Sequence, residues 1–347
     1  MRIHGGEKRD MALDFSVSVN PFGMPAACRR AIADSIQECL RYPETECAAL
    51  KEKLSKINGG AGIILGSGAS ELIYAICHYM SRRYKEYTAL TIAPTFMEYE
   101  YAIKASGGWV RVCSAQENRD FDVTEEICAY VDTDVKVVFI CNPNNPTGQL
   151  IDRSIIESLA EKCAVADTVL VVDECFLRFS EEYAGYSMTS CLDKYPGVIV
   201  LDDFAKFYGM PGLRLGYGLC RDGELLDAIR LQIQPWNITA PAMEAGIKAL
   251  EDPAFERETV RLISRERKDL IAGLKECGYR IVGEPAANFI MFAGPEGLRG
   301  KLNERGIDLR DCSDMMKYHD TRDRYYRTAV DTHEKNERLI RALKEIG

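Results

Sequence analysis

Lys206 stands in the stretch LDDFAKFYGMPGLRLGY (201–217), between aromatic and small residues, with Arg214 eight positions later in a glycine-bearing turn. On an open surface a lysine is only a solvated charge. At the end of a buried strand, with its amine partly desolvated, it is a nucleophile able to form a Schiff base. The strand-like GVIVLDD (197–203) runs almost directly into Lys206, which places the amine at such a strand end. Arg214 suits an oxygen anion, because a guanidinium presents paired donors. Asp203, three residues before the lysine, has the wrong charge for that company. A carboxylate about 4 Å from an anion's oxygen is repelled by about 4 kcal/mol at an effective dielectric near 20. It must turn away, pair with Arg214, or weaken the anion's binding.

Three further stretches carry polar residues at strand ends. GSGAS (66–70) opens a helix, and its glycines permit a tight turn that leaves N–H groups for an anion; the plainer reading is a capped loop. NPNNPTG (142–148) follows an apolar run and makes a stiff turn presenting an amide, or a structural turn and nothing more. DECF (173–176) ends another apolar run. A buried Asp173 is costly without a cation or donors. Its partner is an arginine of the fold or the protonated nitrogen of a heterocycle. GxGxxG and GxxxxGK[ST] are both absent, which leaves nucleotide binding of either type weakly supported.

The elements that must position these residues alternate. TECAALKEKLSKING (45–59) is an amphipathic helix stopped by glycine. ILGS is a short strand, and ASELIYAICHYMSRRY (69–84) a helix. ALTIAP, WVRVCSA, VKVVFIC and TVLVVDE read as strands, the last two buried on both faces of a parallel sheet, with DRSIIESLAEKCAVA crossing between them. FMEYEYAIKASGG is a helix ended by glycines, and GVIVLDD and LRLGYGLC are two more strands. After about Gln234 the texture changes to long charged helices, a hairpin in YRIVGEPAANFIMFAG (279–294) and a terminal helix. The expectation is an N-terminal arm and helix (1–40) packing with a small α+β domain (235–347), beside a large α/β domain (41–234). In an open α/β sheet, ligands bind beyond the carboxyl ends of the strands, where all four polar stretches fall.

The chain has 347 residues, 46% of them hydrophobic, and a net charge of −9. That balance argues against general nucleic-acid or membrane-surface binding. MRIHGGEKRD has no apolar run, so no signal peptide is expected. The 13 cysteines form no CxxC pair, which favours a reducing cytoplasm over a disulfide framework. None of the four histidines is spaced as a zinc site requires, and no metal is expected.

Taken together, a Schiff-base lysine, a carboxylate for a pyridinium, an amide and a phosphate cradle are what pyridoxal 5′-phosphate needs. NPNNPTG, then VVDE, then K-x7-R within GLRLGY, in that order, resemble the class I/II aminotransferase family of fold-type I PLP enzymes, over nearly the whole chain. The resemblance implies a mostly parallel sheet flanked by helices with a smaller α+β domain. It makes Lys206 the lysine that holds the aldehyde, Asp173 the partner of the pyridine nitrogen and Asn145 the amide at O3′. Ala69, Ser70 and Arg214 become the phosphate site, and Phe96 the ring-stacking aromatic. Tyr42, in RYPE, resembles the tyrosine that reaches a partner subunit's cofactor, which implies a homodimer with shared active sites. Arg327, in YYRTAV, matches the arginine that grips the substrate's carboxylate.

Within the family, HGG (4–6), DFSVSVNPFGMP, KFYGMPGLRLGY, PWNITAPA, ANFIMF and GIDLRDC resemble the branch holding threonine-phosphate decarboxylase and histidinol-phosphate aminotransferase, and lean toward the decarboxylase. Arg310 of the last motif becomes a candidate for a second substrate anion. Three positions depart from the pattern. Asp203 replaces a small or hydroxyl residue, Ala205 a hydroxyl residue, and Phe176 a tyrosine common at O3′. Three readings follow: an active PLP enzyme on an anionic amino substrate, a non-catalytic relative that binds or regulates, and an unrelated doubly wound nucleotide binder. Decarboxylation and transamination differ in which Cα bond stands perpendicular to the ring.

Overall fold

The computed structural model describes residues 5, 6 and 11–346; His4 of the HGG motif lies outside them. After the short β1 (Leu13–Asp14) come β2 (Gly62–Gly66), β3 (Thr88–Ala93), β4 (Trp109–Ser114), β5 (Val135–Cys141), β6 (Val169–Asp173), β7 (Val198–Asp203) and β8 (Gly216–Cys220). These last seven form one sheet in the order β2-β8-β7-β6-β5-β3-β4. The pairs from β7 through β4 are parallel, and β8 runs antiparallel to both its neighbours.

The uninterrupted apolar runs have a direct cause. Along β5, β6 and β7, Val138, Ile140, Leu170, Val172 and Val200 pack on one face of the sheet. Val137, Phe139, Val171, Ile199 and Leu201 pack on the other. Successive side chains of a strand point to opposite faces, so a sheet covered on both sides needs apolar residues at every position. Helices α1 (Ala26–Asp34), α2 (Ala48–Ile57), α3 (Ala69–Tyr84), α4 (Glu98–Ala105) and α5 (Arg153–Val165) precede or alternate with these strands. The Asp152 carboxylate caps α5 by accepting from the Ser154 N–H. Gly68 at the head of α3 has φ +81° and offers no side chain, leaving the first-turn N–H groups uncapped.

The remaining helices are α6 (Tyr183–Tyr186), α7 (Gly223–Arg230), α8 (Ala240–Ala249), α9 (Pro253–Glu276), α10 (Leu298–Asn303) and α11 (His333–Ile346). Strands β9 (Arg280–Ile281), β10 (Phe289–Gly294), β11 (Ile307–Asp308), β12 (Arg310–Asp311) and β13 (Arg324–Ala329) complete the chain. A second, antiparallel sheet runs β12-β13-β10-β9, and β9 with β10 is the hairpin expected in 279–294. The N-terminal segment ties the two sheets together. β1 pairs with β11, α1 packs on α8, and the Asn20 N–H donates to the Lys206 carbonyl at 3.0 Å.

Candidate active site

Strand direction assembles the site. β3, β5, β6 and β7 end at one edge of the sheet, β2 runs out there into Gly68 and α3, and β8 begins there. A cavity of about 190 Å³ opens at this edge. Its walls bring together Ala69, Ser70, Phe96, Asn145, Asp173 and Lys206, and also Arg214, Arg310 and Arg327. Asp203 and Phe176 line it too. Lys206 is the only lysine among the described lining residues.

Asp173, the last residue of β6, is buried, and no described cation lies within ion-pair distance of it. Its Oδ2 accepts from the Tyr99 hydroxyl at 2.6 Å and its Oδ1 from the Cys175 N–H at 3.1 Å. Burial raises its pKa above the ordinary carboxylate value, opposed by those two donors. A buried acid in this state gains most from a cationic donor placed beside it.

Tyr99 was not among the candidate residues, although its motif was. It sits on α4, wholly buried, with its ring stacked on Phe139 (centroids 5.3 Å apart, planes 11°) and edge-on to Phe96 (5.6 Å, 87°). One side chain therefore fixes both the carboxylate and the aromatic wall. Tyr99→Phe keeps the packing and removes one of Asp173's two donors. We expect it to destabilise the apoprotein by about 1–3 kcal/mol at neutral pH, measured by urea unfolding; an unchanged midpoint would show that the hydroxyl does not hold Asp173.

The wall opposite belongs to the antiparallel sheet. Arg310 of β12 and Arg327 of β13 are cross-strand partners, so their side chains leave the same face. Arg327 is buried. One terminal nitrogen donates to Asn145 Oδ1 at 2.6 Å, the other to the Ser16 carbonyl at 2.9 Å, and its Nε has no partner. Its guanidinium lies 5.0 Å over the Phe289 ring. Burial, with Arg310 adding to the effect, pushes its pKa down to about 10. No described carboxylate lies within ion-pair distance of it. Arg310, the candidate for a second substrate anion, holds Asp314 through two bonds of 2.9 and 2.7 Å. Asp314 follows in the next turn and offsets a charge that two facing arginines would leave uncompensated.

Of the outcomes open to Asp203, pairing with Arg214 is not the one found. Its Oδ1 accepts from the N–H groups of Ala205 and Lys206, at 2.9 and 3.2 Å. The Arg214 guanidinium donates to the carbonyls of Pro211 and Ser67. Neighbouring Asp202 faces the other way, against Arg178 and the Tyr217 hydroxyl. Tyr42 is 79% exposed, packs on Trp236 and lies outside the cavity. Ser16, Val17 and Ser18 of the DFSVSVN motif line it unforeseen.

Elsewhere, Glu266, Asp269 and His333 bring three metal-type ligand atoms within 4.8 Å, beside a larger cleft of about 420 Å³ between α9 and α11. Glu266 is already bound there by Arg265, His333 and Asn336, so the cluster reads as an ion-pair knot between two helices.

The residues fit the cofactor that the sequence pattern implies. Asp173 awaits a cationic donor. At the mouth of α3 an added Cβ on Gly216 would approach the Ala69 nitrogen to 2.4 Å, and one on Gly68 would meet Arg214 at 2.3 Å. That crowding leaves backbone N–H groups and a guanidinium around a space for a small anion. Parallel sheet, edge site and second antiparallel sheet together define the fold-type I architecture. The model of the family described as aminotransferase class I and II matches residues 10–343. Threonine-phosphate decarboxylase of Salmonella typhimurium is 31% identical, over 99% of this chain and 96% of its own. Histidinol-phosphate aminotransferase 2 of Archaeoglobus fulgidus is 33% identical, over 96% and 93%. The crystal structure of histidinol-phosphate aminotransferase from Clostridium acetobutylicum superposes with a TM-score of 0.87 at 29% identity, covering 96% of this chain and 98% of that one. The chain belongs to the class I and II aminotransferase family.

Proposed function

We propose that the chain is a pyridoxal 5′-phosphate enzyme acting on an amino acid that carries a second anionic group, as a decarboxylase of L-threonine phosphate or a near analogue. The observation that carries this reading is the pairing of Arg310 with Arg327 on the wall facing Lys206 and Asp173. In this reading residues 41–234 form the cofactor-binding domain and 235–347 the small domain, with 1–40 packed on it. Exposed Ile36, Leu40, Tyr42, Leu231 and Trp236 support association with a second copy, in which Tyr42 reaches the partner's site. Thirteen unpaired cysteines support a reducing cytoplasm, and no helix among the described residues is long and apolar enough to cross a membrane.

Lys206 would hold the cofactor's aldehyde through Nζ, and its amine is the group placed to carry a proton at the substrate's Cα. The bound cofactor supplies a ring that accepts the electron pair of the broken Cα bond. Asp173 would keep the ring nitrogen protonated, and Tyr99 keeps Asp173 in place. Phe96 would pack on the ring. Asn145, oriented by Arg327, would present its amide to O3′, and Arg214 with the N–H groups of Ala69 and Ser70 would take the phosphate. Arg327 binds one substrate anion, desolvated and so strongly. Arg310 offers a second anion a guanidinium that Asp314 already orients.

L-Threonine phosphate is expected to half-saturate the spectral change of the PLP-loaded protein at about 10–100-fold lower concentration than L-threonine, as one added charge-assisted contact requires. It should also release CO2 with no acceptor present. Equal responses to both compounds would remove the phosphate argument. The Archaeoglobus relative favours a second reading, transamination of a phosphorylated amine. It prevails if an oxo-acid acceptor is consumed one-for-one and no CO2 appears.

A further inference from the structure

Asp203 is a buried carboxylate of this cavity that the proposed chemistry does not use. Its cross-strand partner is Gly216, so the two share a face of the sheet. That face is the one on which a Gly216 Cβ would meet the Ala69 nitrogen. The carboxylate therefore stands beside the uncapped head of α3, where Ala69, Ser70 and Arg214 would take the cofactor's phosphate. It is only 8% exposed, and no described cation pairs with it. Its Oδ1 holds the N–H groups of Ala205 and Lys206, which fixes it against the cradle rather than letting it swing out. One arginine and one carboxylate leave the cradle with little net positive charge for a phosphate dianion.

Resting on the PLP reading, we propose that Asp203 and the cofactor's 5′-phosphate share one proton, so that this chain takes up the cofactor together with a proton and holds it less tightly as pH rises. Two anionic oxygens in contact cannot both stay ionised without a large cost, and one shared proton turns the repulsion into a hydrogen bond. The charged and titratable groups around Asp203 set where that proton is lost. From its own strand Asp202 faces the opposite side, neutralised by Arg178. The end of β6 contributes Asp173 and the turn after it Cys175, the turn after β7 Lys206, the turn before β8 Arg214, and the second sheet Arg310 and Arg327 across the cavity. Glu71 of α3 is occupied by the Ser67 N–H and Asn237. Burial pushes the Asp203 carboxyl up to about 6, against the pull of Lys206 and helped by Asp202 and Asp173. The folded apoprotein thus already holds this proton more firmly than an unfolded chain does. The associated stability is present at low pH and lost as pH rises through about 6.

The experiment titrates apoprotein with PLP, and with pyridoxamine 5′-phosphate, which forms no Schiff base, between pH 5.5 and 8.5. Natural protein is compared with Asp203→Asn, which keeps an acceptor for the two N–H groups, and with Asp203→Ser. Comparing variants cancels the titration of the ligand itself. Above about pH 6 the dissociation constant of the natural protein is expected to rise relative to Asp203→Asn by up to tenfold per pH unit. Calorimetry in two buffers of different ionisation enthalpy should show natural protein taking up close to one more proton at pH 7.5. Asp203→Ser supplies the same comparison if the asparagine variant does not fold. Parallel pH profiles with equal proton uptake would overturn the inference. If no form binds either ligand at any pH and borohydride fixes nothing to Lys206, the cofactor reading fails, and the inference with it.

Discussion

Lys206→Ala is expected to abolish borohydride-stable attachment of PLP and to lower turnover by about 10⁴-fold or more, since in the proposed function the group removed is both the covalent anchor and the proton carrier. The competing lysines nearest in sequence logic are otherwise engaged. Lys104 and Lys317 both bind the Glu100 carboxylate, at 2.6 Å each. Lys206 is held by its backbone on both sides: its carbonyl accepts from Asn20 and its N–H donates to Asp203. The side chain is therefore launched from a fixed point and cannot be replaced by a neighbour's reach. Peptide mass mapping after borohydride reduction decides the matter. A fixed cofactor on any other lysine would end the assignment.

Asp173→Ala is expected to slow turnover by about 10³-fold with the fold retained, in line with the loss of one preorganised charge at a reacting centre. The side chain lies at the end of β6 in the middle of the sheet, and the apolar residues before it carry the packing, so its loss removes charge more than structure. The sign of its pH effect is fixed by burial. The folded carboxyl binds its proton more tightly than an unfolded one, whose ordinary value is 3.8. Its contribution to apoprotein stability is thus full below that value and lost as pH rises through the higher folded one. Relative to Asp173→Asn, the natural apoprotein should lose stability as pH climbs from about 4 toward neutrality. Chemical unfolding of both proteins across that range measures it. A natural chain that instead gains stability over Asp173→Asn would mean that a cation pairs with Asp173 even without cofactor. Near-normal turnover in Asp173→Ala would make the carboxylate a structural group.

Most of the edge cluster was legible in sequence because its members obey local rules. Lys206, Asp173, Asn145 and the Ala69–Ser70 turn each follow a strand within a few residues, and apolar runs buried on both faces announce a parallel sheet whose carboxyl ends must coincide. Tyr99 was less legible. Its burial places it in the core, and only the meeting of α4 with β6 turns its hydroxyl onto Asp173. Ser16 to Ser18 sit in an apolar–polar alternation, FSVSV, that says nothing of where it packs. They reach the cavity because β1 pairs with β11 nearly three hundred residues away.

Charge pairing shows the limit most plainly. Sequence alone determined which residue types lie at the strand ends: an amine, an acid, an amide, a guanidinium and a misfit carboxylate. It determined the alternation of strand and helix that gathers them, since hydrophobic period and turn residues act over a few positions. Only the tertiary structure decided which charge meets which. Sequence left open whether Asp203 pairs with Arg214 or turns away, yet only the fold shows that Asp203 binds the N–H groups of its own turn while Arg214 leans on two carbonyls. Sequence offered Arg310 to a second substrate anion and showed no partner for it, yet Asp314 holds it. Coulomb attraction between side chains depends on a few ångströms of separation and on how much water is excluded, and both are set by distant strands packing against one another rather than by neighbours along the chain.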